Sequence, residues 1–153
     1  MTQEHKDLLL KDLCSRIPYK VKCQVYDDLV PYTLSGIIPS RVYQELYFEK
    51  MDYKECNGFI DIKYSKPYLF PISSMTEEQM EELKELCNMY TPDEDYHPYA
   101  YMGIEVLYKH VLDNSYKFNF KTNVIDWFNK NHFDYRGLIP MGLANDATGL
   151  NIY

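Results

Sequence analysis

The sequence predicts an α+β fold, with a four- to five-stranded antiparallel sheet flanked by three or four helices. Two segments repeat apolar residues with a helical period, one near the N-terminus and one after Ser74. Between them, short segments alternate apolar and polar residues, and their connections are too short for parallel crossovers. A length of 153 residues fits one domain, 1–153, with a core that needs no disulfide or metal.

The first predicted helix covers residues 3–17, and Pro18 ends it because proline lacks an N–H and restricts the residue before it. Asp12 is predicted to lie mainly on the solvent side of this helix. The predicted apolar face comprises Leu9, Leu10, Leu13, Cys14 and Ile17.

Four strands are predicted next. In YKVKCQVYD (19–27), Val21, Cys23 and Val25 alternate with polar residues, which is typical of a half-buried strand. Further strands are predicted at 32–38, 41–49 and 59–64, and the last two show the same alternation. Pro67 and Pro71 are expected to stop the last of these from continuing.

The second half of the chain is predicted to be mainly helical. Thr76 and Gln79 form a capping box at the start of a helix over 76–90. Further helices are expected at 99–113 and 123–131, and 116–121 is the candidate fifth strand. The remainder, from His132 onward, is expected to be ordered but irregular.

Composition and charge disfavour several functions. The net charge of −7 and pI near 5.0 argue against nucleic-acid and anionic-membrane binding. No apolar run suits a signal peptide or a membrane span, so we expect a cytoplasmic protein. The four cysteines are widely spaced and are expected to be buried thiols rather than a metal site. No phosphate loop, helical histidine pair or nucleophile elbow occurs, so no cofactor is expected and an enzyme is disfavoured.

One polar cluster is a candidate ligand-binding site. His132, Asp134 and Arg136 alternate in NHFDYRG, which on an extended segment would place all three on one side. His132 could then act as a general base, oriented by Asp134, while Arg136 holds an anion. We favour the structural alternative, in which the three side chains tie down the end of the chain through backbone bonds and ion pairs.

The glutamate face of the 76–90 helix is a candidate partner-binding surface. Eight acidic residues against one lysine between Ser73 and Pro98 account for the whole net charge. A glutamate-rich face is usually the solvated side of an amphipathic helix, but it could also dock a basic protein. The candidate residues are Glu77, Glu78, Glu81, Glu82 and Glu85.

Two segments occur together in this chain: KPYLFPISSMTEEQMEEL (66–83) and VIDWFNKNHFDYRGLIPMGLA (124–144). In combination they resemble a family of small uncharacterised proteins of gut bacteria and their bacteriophages. The resemblance implies a phage or prophage setting and a bacterial host cell, and it implies no activity. Phe70 stands where that family's pattern has arginine, which argues against an anion site in this loop.

Three functional hypotheses follow. The leading one is a non-enzymatic binding or regulatory protein that acts on a host or phage protein through a tyrosine-rich, locally acidic surface. Sixteen tyrosines support that surface, although tyrosine also suits half-buried strands. The second is a small-ligand binder or enzyme that uses His132, Asp134 and Arg136. The third is a structural component or homo-oligomer.

Overall fold

The computed structural model describes residues 1–39, 44–49, 51, 60–88 and 122–153. In this part of the chain the fold is α+β, as predicted, with three helices and a six-stranded mixed sheet. The helices are α1 (Gln3–Arg16), α2 (Glu77–Asn88) and α3 (Thr122–Lys130). The strands are β1 (Lys22–Val25), β2 (Tyr32–Pro39), β3 (Gln44–Phe48), β4 (Ile60–Asp61), β5 (Ser65–Leu69) and β6 (Asn145–Asp146).

The strand order in the sheet is β4-β3-β2-β1-β5-β6. All neighbours pair antiparallel except β5 and β6, which pair in parallel through Tyr68 with Asn145 and Leu69 with Asp146. The prediction of a purely antiparallel sheet is therefore wrong at this edge. A parallel neighbour requires a long connection, and here the chain between β5 and β6 supplies it.

β5 corrects the prediction that Pro67 stops the strand. The strand runs through Pro67, which lies opposite Cys23 of β1. On its other side, β6 pairs only with Tyr68 and Leu69. Pro67 therefore occupies a local edge position, where proline is tolerated.

The predicted strand over 59–64 is also wrong beyond Asp61. β4 ends there, and a 3-10 helix follows at Ile62–Tyr64, begun by the Asp61 carboxylate accepting from the Lys63 N–H. This side-chain cap competes with continued strand pairing. The helix predicted at 99–113 and the strand predicted at 116–121 lie outside the described residues.

Two hydrophobic clusters form the described core. The first joins α1 to one face of the sheet and to the segment around Leu138 and Leu143. The second joins α2 and α3 and is built around Leu83, Trp127 and Phe133, with Phe70 packed against it. The second cluster brings residues from the segments 66–83 and 124–144 into contact.

The predicted caps and faces of the helices are partly confirmed. Thr76 and Gln79 make both bonds of a capping box, with nitrogen–oxygen distances of 2.9 and 3.2 Å. On α1, Leu9 and Leu13 are buried as predicted, but Cys14 is exposed and Asp12 is fully buried. The buried stripe of α1 is Leu9, Asp12, Leu13 and Arg16, which is rotated from the predicted one because it includes a charged pair.

Candidate functional site

Asp12 and Arg16 are the centre of a buried polar cluster between α1 and the segment after α3. Both side chains are 0% exposed, and they lie one turn apart on α1, four residues in sequence. The Arg16 Nε donates to Asp12 Oδ2 at 2.7 Å and Nη2 donates to Oδ1 at 3.1 Å. In this two-point contact each carboxylate oxygen accepts one hydrogen bond, and both side chains are fixed in position.

Arg136 is a second cation at the same carboxylate. Its Nε lies 3.2 Å from Asp12 Oδ1, an ion pair outside hydrogen-bond geometry. Its Nη2 donates to the Tyr135 hydroxyl at 2.7 Å, and its guanidinium lies 4.6 Å from the Tyr135 ring centre. Arg16 also faces this ring, at 5.4 Å. Asp12 is thus shared by two arginines, and the Tyr135 ring helps to accommodate the second positive charge.

The Arg16 guanidinium joins α1 to the segment after α3. Its Nη2 donates to the Phe133 carbonyl at 2.7 Å. Nearby, the Ser15 hydroxyl contacts the Asn129 side-chain oxygen of α3 at 3.3 Å. These bonds fix the segment that contains His132, Asp134 and Arg136 against the first helix.

Asp134 organises the turn that follows it. Its two carboxylate oxygens accept from the backbone N–H groups of Leu138 and Ile139, at 2.7 and 2.8 Å. Burial raises the pKa of this carboxyl, and the two N–H groups oppose the rise. Asp134 therefore acts within the described structure as a cap for a turn.

His132 ends α3 in a Schellman motif. Its N–H donates to the Asn129 carbonyl, and the next N–H, of Phe133, donates to the Phe128 carbonyl. The motif requires a left-handed residue at its C′ position, and His132 has a φ of 57°. Glycine usually occupies this position because it carries no Cβ.

The His132 imidazole is buried by stacking on Tyr153. The ring centres are 3.8 Å apart, and the planes differ by 13°. Burial, with a smaller contribution from the Arg16 charge, lowers the pKa of His132 to about 4. His132 is therefore neutral at pH 7, and its Nδ1 has no hydrogen-bond partner among the described residues.

The H-x-D-x-R spacing does not bring its three side chains together. His132 stacks on Tyr153, Asp134 binds two backbone N–H groups, and Arg136 pairs with Asp12. These contacts hold the segment in place, as in the structural alternative considered for the three residues. Asp12 and Arg16 were not predicted from the sequence, where their only signal is their spacing with Leu9 and Leu13 on one face of α1.

The acidic helix face comprises the five glutamates of α2, all of which are exposed. Glu81 pairs with Lys84, and Glu82 Oε2 accepts from the Trp127 indole N–H at 3.0 Å. In the described part of the chain, Glu77, Glu78 and Glu85 have no cation within ion-pair distance. The face therefore carries surplus negative charge that is open to solvent.

A groove adjoins this face between α2 and α3. It has a volume of about 270 Å³ and is lined by Glu82, Glu85, Leu86 and Trp127. Trp127 stacks on Phe133 with ring centres 5.7 Å apart and meets Phe128 edge-on at 5.5 Å. This Trp127 groove thus combines an immobilised aromatic ring, an aliphatic side chain and two carboxylates.

Within the described ranges, no group of three or more histidine, cysteine, aspartate and glutamate side chains could hold a metal ion. None of the helices in that part of the chain combines the length and the apolar character needed to cross a membrane. Comparisons of the chain with protein-family models, with curated proteins and with solved structures found no match.

Proposed function

We propose that this chain is a small, non-enzymatic binding or regulatory protein of phage or mobile-element origin. It acts on a basic host or phage protein, through the acidic helix face. The observation that carries the proposal is that five exposed glutamates on α2 face solvent with one lysine among them. The opposite side of this helix packs in the core, where Leu83 is buried against α3, and of the five glutamates Glu82 alone is bonded to a described residue of α3.

The physical basis is electrostatic complementarity. Clustered charge of one sign attracts an oppositely charged partner over about one Debye length, ~8 Å at physiological ionic strength. Such attraction raises the association rate and helps to select the partner. The phage setting is taken from the resemblance of residues 66–83 and 124–144 to proteins of gut bacteria and their phages.

A second exposed patch supports contact with a protein. Tyr26 and Tyr64 are exposed, with ring centres 4.8 Å apart, and Lys63 lies 4.6 Å from the Tyr64 ring centre. Leu29 and Val30 lie with Tyr26 in the connection between β1 and β2, and they are 84% and 58% exposed. Exposed aromatic and aliphatic side chains grouped in this way are typical of interaction surfaces.

The test is affinity capture from lysates of infected and uninfected host cells. The bait proteins are the wild type, Glu78→Gln/Glu81→Gln/Glu85→Gln, and a control, Glu4→Gln/Asp7→Asn/Glu49→Gln, with the same charge change at exposed sites elsewhere. We expect a basic protein that the wild type and the control retain, that the α2 variant loses, and that salt elutes. Capture of the same proteins by all three baits contradicts the proposal.

A further inference from the structure

We propose that the Trp127 groove binds an arginine side chain from a basic segment of the partner. This inference rests on the proposed function and specifies the chemistry of its central contact. The groove, rather than the acidic face as a whole, carries it, because here an aromatic ring, an aliphatic side chain and two carboxylates line one space.

The size of the groove favours a single side chain over a small molecule. Its volume of about 270 Å³ lies at the lower limit of the roughly 300–1,000 Å³ of typical ligand pockets, which suits a group as small as one side chain. It is also open to solvent, so a ligand can enter while remaining attached to a chain. A long side chain on a docking segment meets both conditions.

The lining chemistry selects a cation with an apolar body. Trp127 is only 9% exposed, and that part of its ring together with Leu86 offers a small apolar surface for a methylene stem or the edge of a guanidinium. Glu82 and Glu85 place carboxylates at the rim, and only Glu82 Oε2 is engaged within the described residues, by the indole N–H. The remaining oxygens are available to accept from a ligand.

Arginine fits this combination better than lysine. Its planar guanidinium can contact an aromatic ring while donating to carboxylates, and it is less strongly hydrated than an ammonium group. Two carboxylates three residues apart on one helix lie on the same side and can share a forked donor. The Trp127 ring is held by Phe133, Phe128 and Glu82. Binding therefore costs little conformational entropy at this side chain.

The experiment uses Trp127 as its own reporter, because it is the only tryptophan in the chain. The full-length protein is titrated with a Gly/Ser peptide that carries arginines, and with matched peptides that carry lysine or citrulline. We expect a saturable change in indole emission with the arginine peptide, weaker binding of the lysine peptide, and none with citrulline.

Matched variants separate the groove from general charge. Glu82→Gln/Glu85→Gln removes the rim charges, while the amide oxygen introduced next to Trp127 can still accept from the indole N–H. Glu77→Gln/Glu78→Gln removes the same charge from the same helix, outside the groove. We expect the first pair of substitutions to lower the affinity for the arginine peptide by roughly tenfold or more. The second pair should lower it by less than about threefold.

Four results would overturn the proposal. Three of them concern the peptides: unchanged indole emission with the arginine peptide, equal binding of the lysine peptide, or equal losses of affinity in both variant pairs. The fourth is an emission change with protein concentration alone, which assigns the groove to a second copy of the chain. Equal losses in both pairs leave the acidic-face function standing. Conversely, a partner captured regardless of the α2 glutamates overturns that function, whatever the peptide shows.

Discussion

Asp12 and Arg16 form a completely buried ion pair on α1, with Arg16 Nε and Asp12 Oδ2 2.7 Å apart. A pair of this kind gives up hydration on both charges, and its geometry must compensate. Here Arg136 and the Phe133 carbonyl add contacts from a distant part of the sequence, while Arg16 Nη1 has no hydrogen-bond partner in the described part of the chain. The pair is therefore the point at which the first helix and the last segment of the chain depend on each other.

Removing the charge of Asp12 should destabilise the protein strongly. In Asp12→Asn, the buried Arg16 and the nearby Arg136 lose their shared carboxylate, and an unpaired buried cation is costly. We expect the free energy of unfolding in urea to fall by roughly 3–5 kcal/mol. Glu4→Gln makes the same charge change at an exposed site on α1 and should cost less than about 1 kcal/mol. Similar losses in both variants would show that the pair contributes little.

His132 should make stability depend on pH. Its folded pKa of about 4 lies below the ordinary histidine value of 6.5, so the unfolded chain binds the proton first as pH falls. The stabilising contribution is complete above pH 6.5 and is lost as pH falls toward 4. At about 1.4 kcal/mol for each pKa unit, the loss is on the order of 3 kcal/mol.

The control for this dependence is His132→Asn, because asparagine tolerates the left-handed backbone at this position and does not titrate. The raised pKa of Asp134 acts in the opposite direction below neutrality, but it contributes to both proteins and cancels in their difference. Urea unfolding of both proteins between about pH 7 and 4 should therefore show a steeper loss in the wild type. Parallel curves would show that His132 does not titrate as described.

The capping box should contribute measurably to α2. Thr76→Ala removes the oxygen that accepts from the Gln79 N–H, and we expect a loss of roughly 1 kcal/mol. Thr76→Ser keeps the oxygen and should retain most of the stability. Trp127 emission during urea unfolding reports the effect, because its indole N–H is bonded to α2 through Glu82. If serine and alanine behave alike, the hydroxyl bond is not what stabilises the helix start.

The Tyr153 hydroxyl should hold the last segment against the sheet. It donates to the Tyr68 carbonyl at 2.7 Å and accepts from the Lys22 N–H at 3.1 Å. Tyr153→Phe removes both bonds while leaving the ring on His132, and we expect a loss of about 1–2 kcal/mol in urea unfolding. Tyr19→Phe is the control, because no hydrogen bond of the Tyr19 hydroxyl is found in the described structure. A loss confined to Tyr153→Phe supports the assignment, and equal effects contradict it.

Local patterns were sufficient to predict much of this fold. Alternation located the buried Val21, Cys23 and Val25, and the spacing of Thr76 and Gln79 located the start of α2. These features depend on residues close in sequence, so their physical causes lie within the segment that shows them. The exposed glutamate face of α2 was predicted for the same reason.

Features that depend on distant partners were not predicted. An aspartate and an arginine four residues apart on a helix normally lie in solvent. Burial of Asp12 and Arg16 depends on distant contacts, among them the Phe133 carbonyl and the Arg136 charge. β5 was missed because the tolerance of Pro67 depends on where β6 pairs. The Trp127 groove was missed because it forms where α2 packs on α3. Glu82 and Trp127, which are bonded to each other there, are 45 residues apart in the sequence.

The shared carboxylate also bears on how the chain folds during its synthesis. Arg16 binds the carbonyl of a residue that lies 117 positions later in the sequence. At ~5–20 residues per second, a ribosome needs roughly 6–23 s to cover that distance. Until then the charges of Asp12 and Arg16 are better hydrated than buried, and contacts between such distant residues form slowly. We therefore expect the first helix to dock late, after the Phe133 segment has emerged from the ribosome.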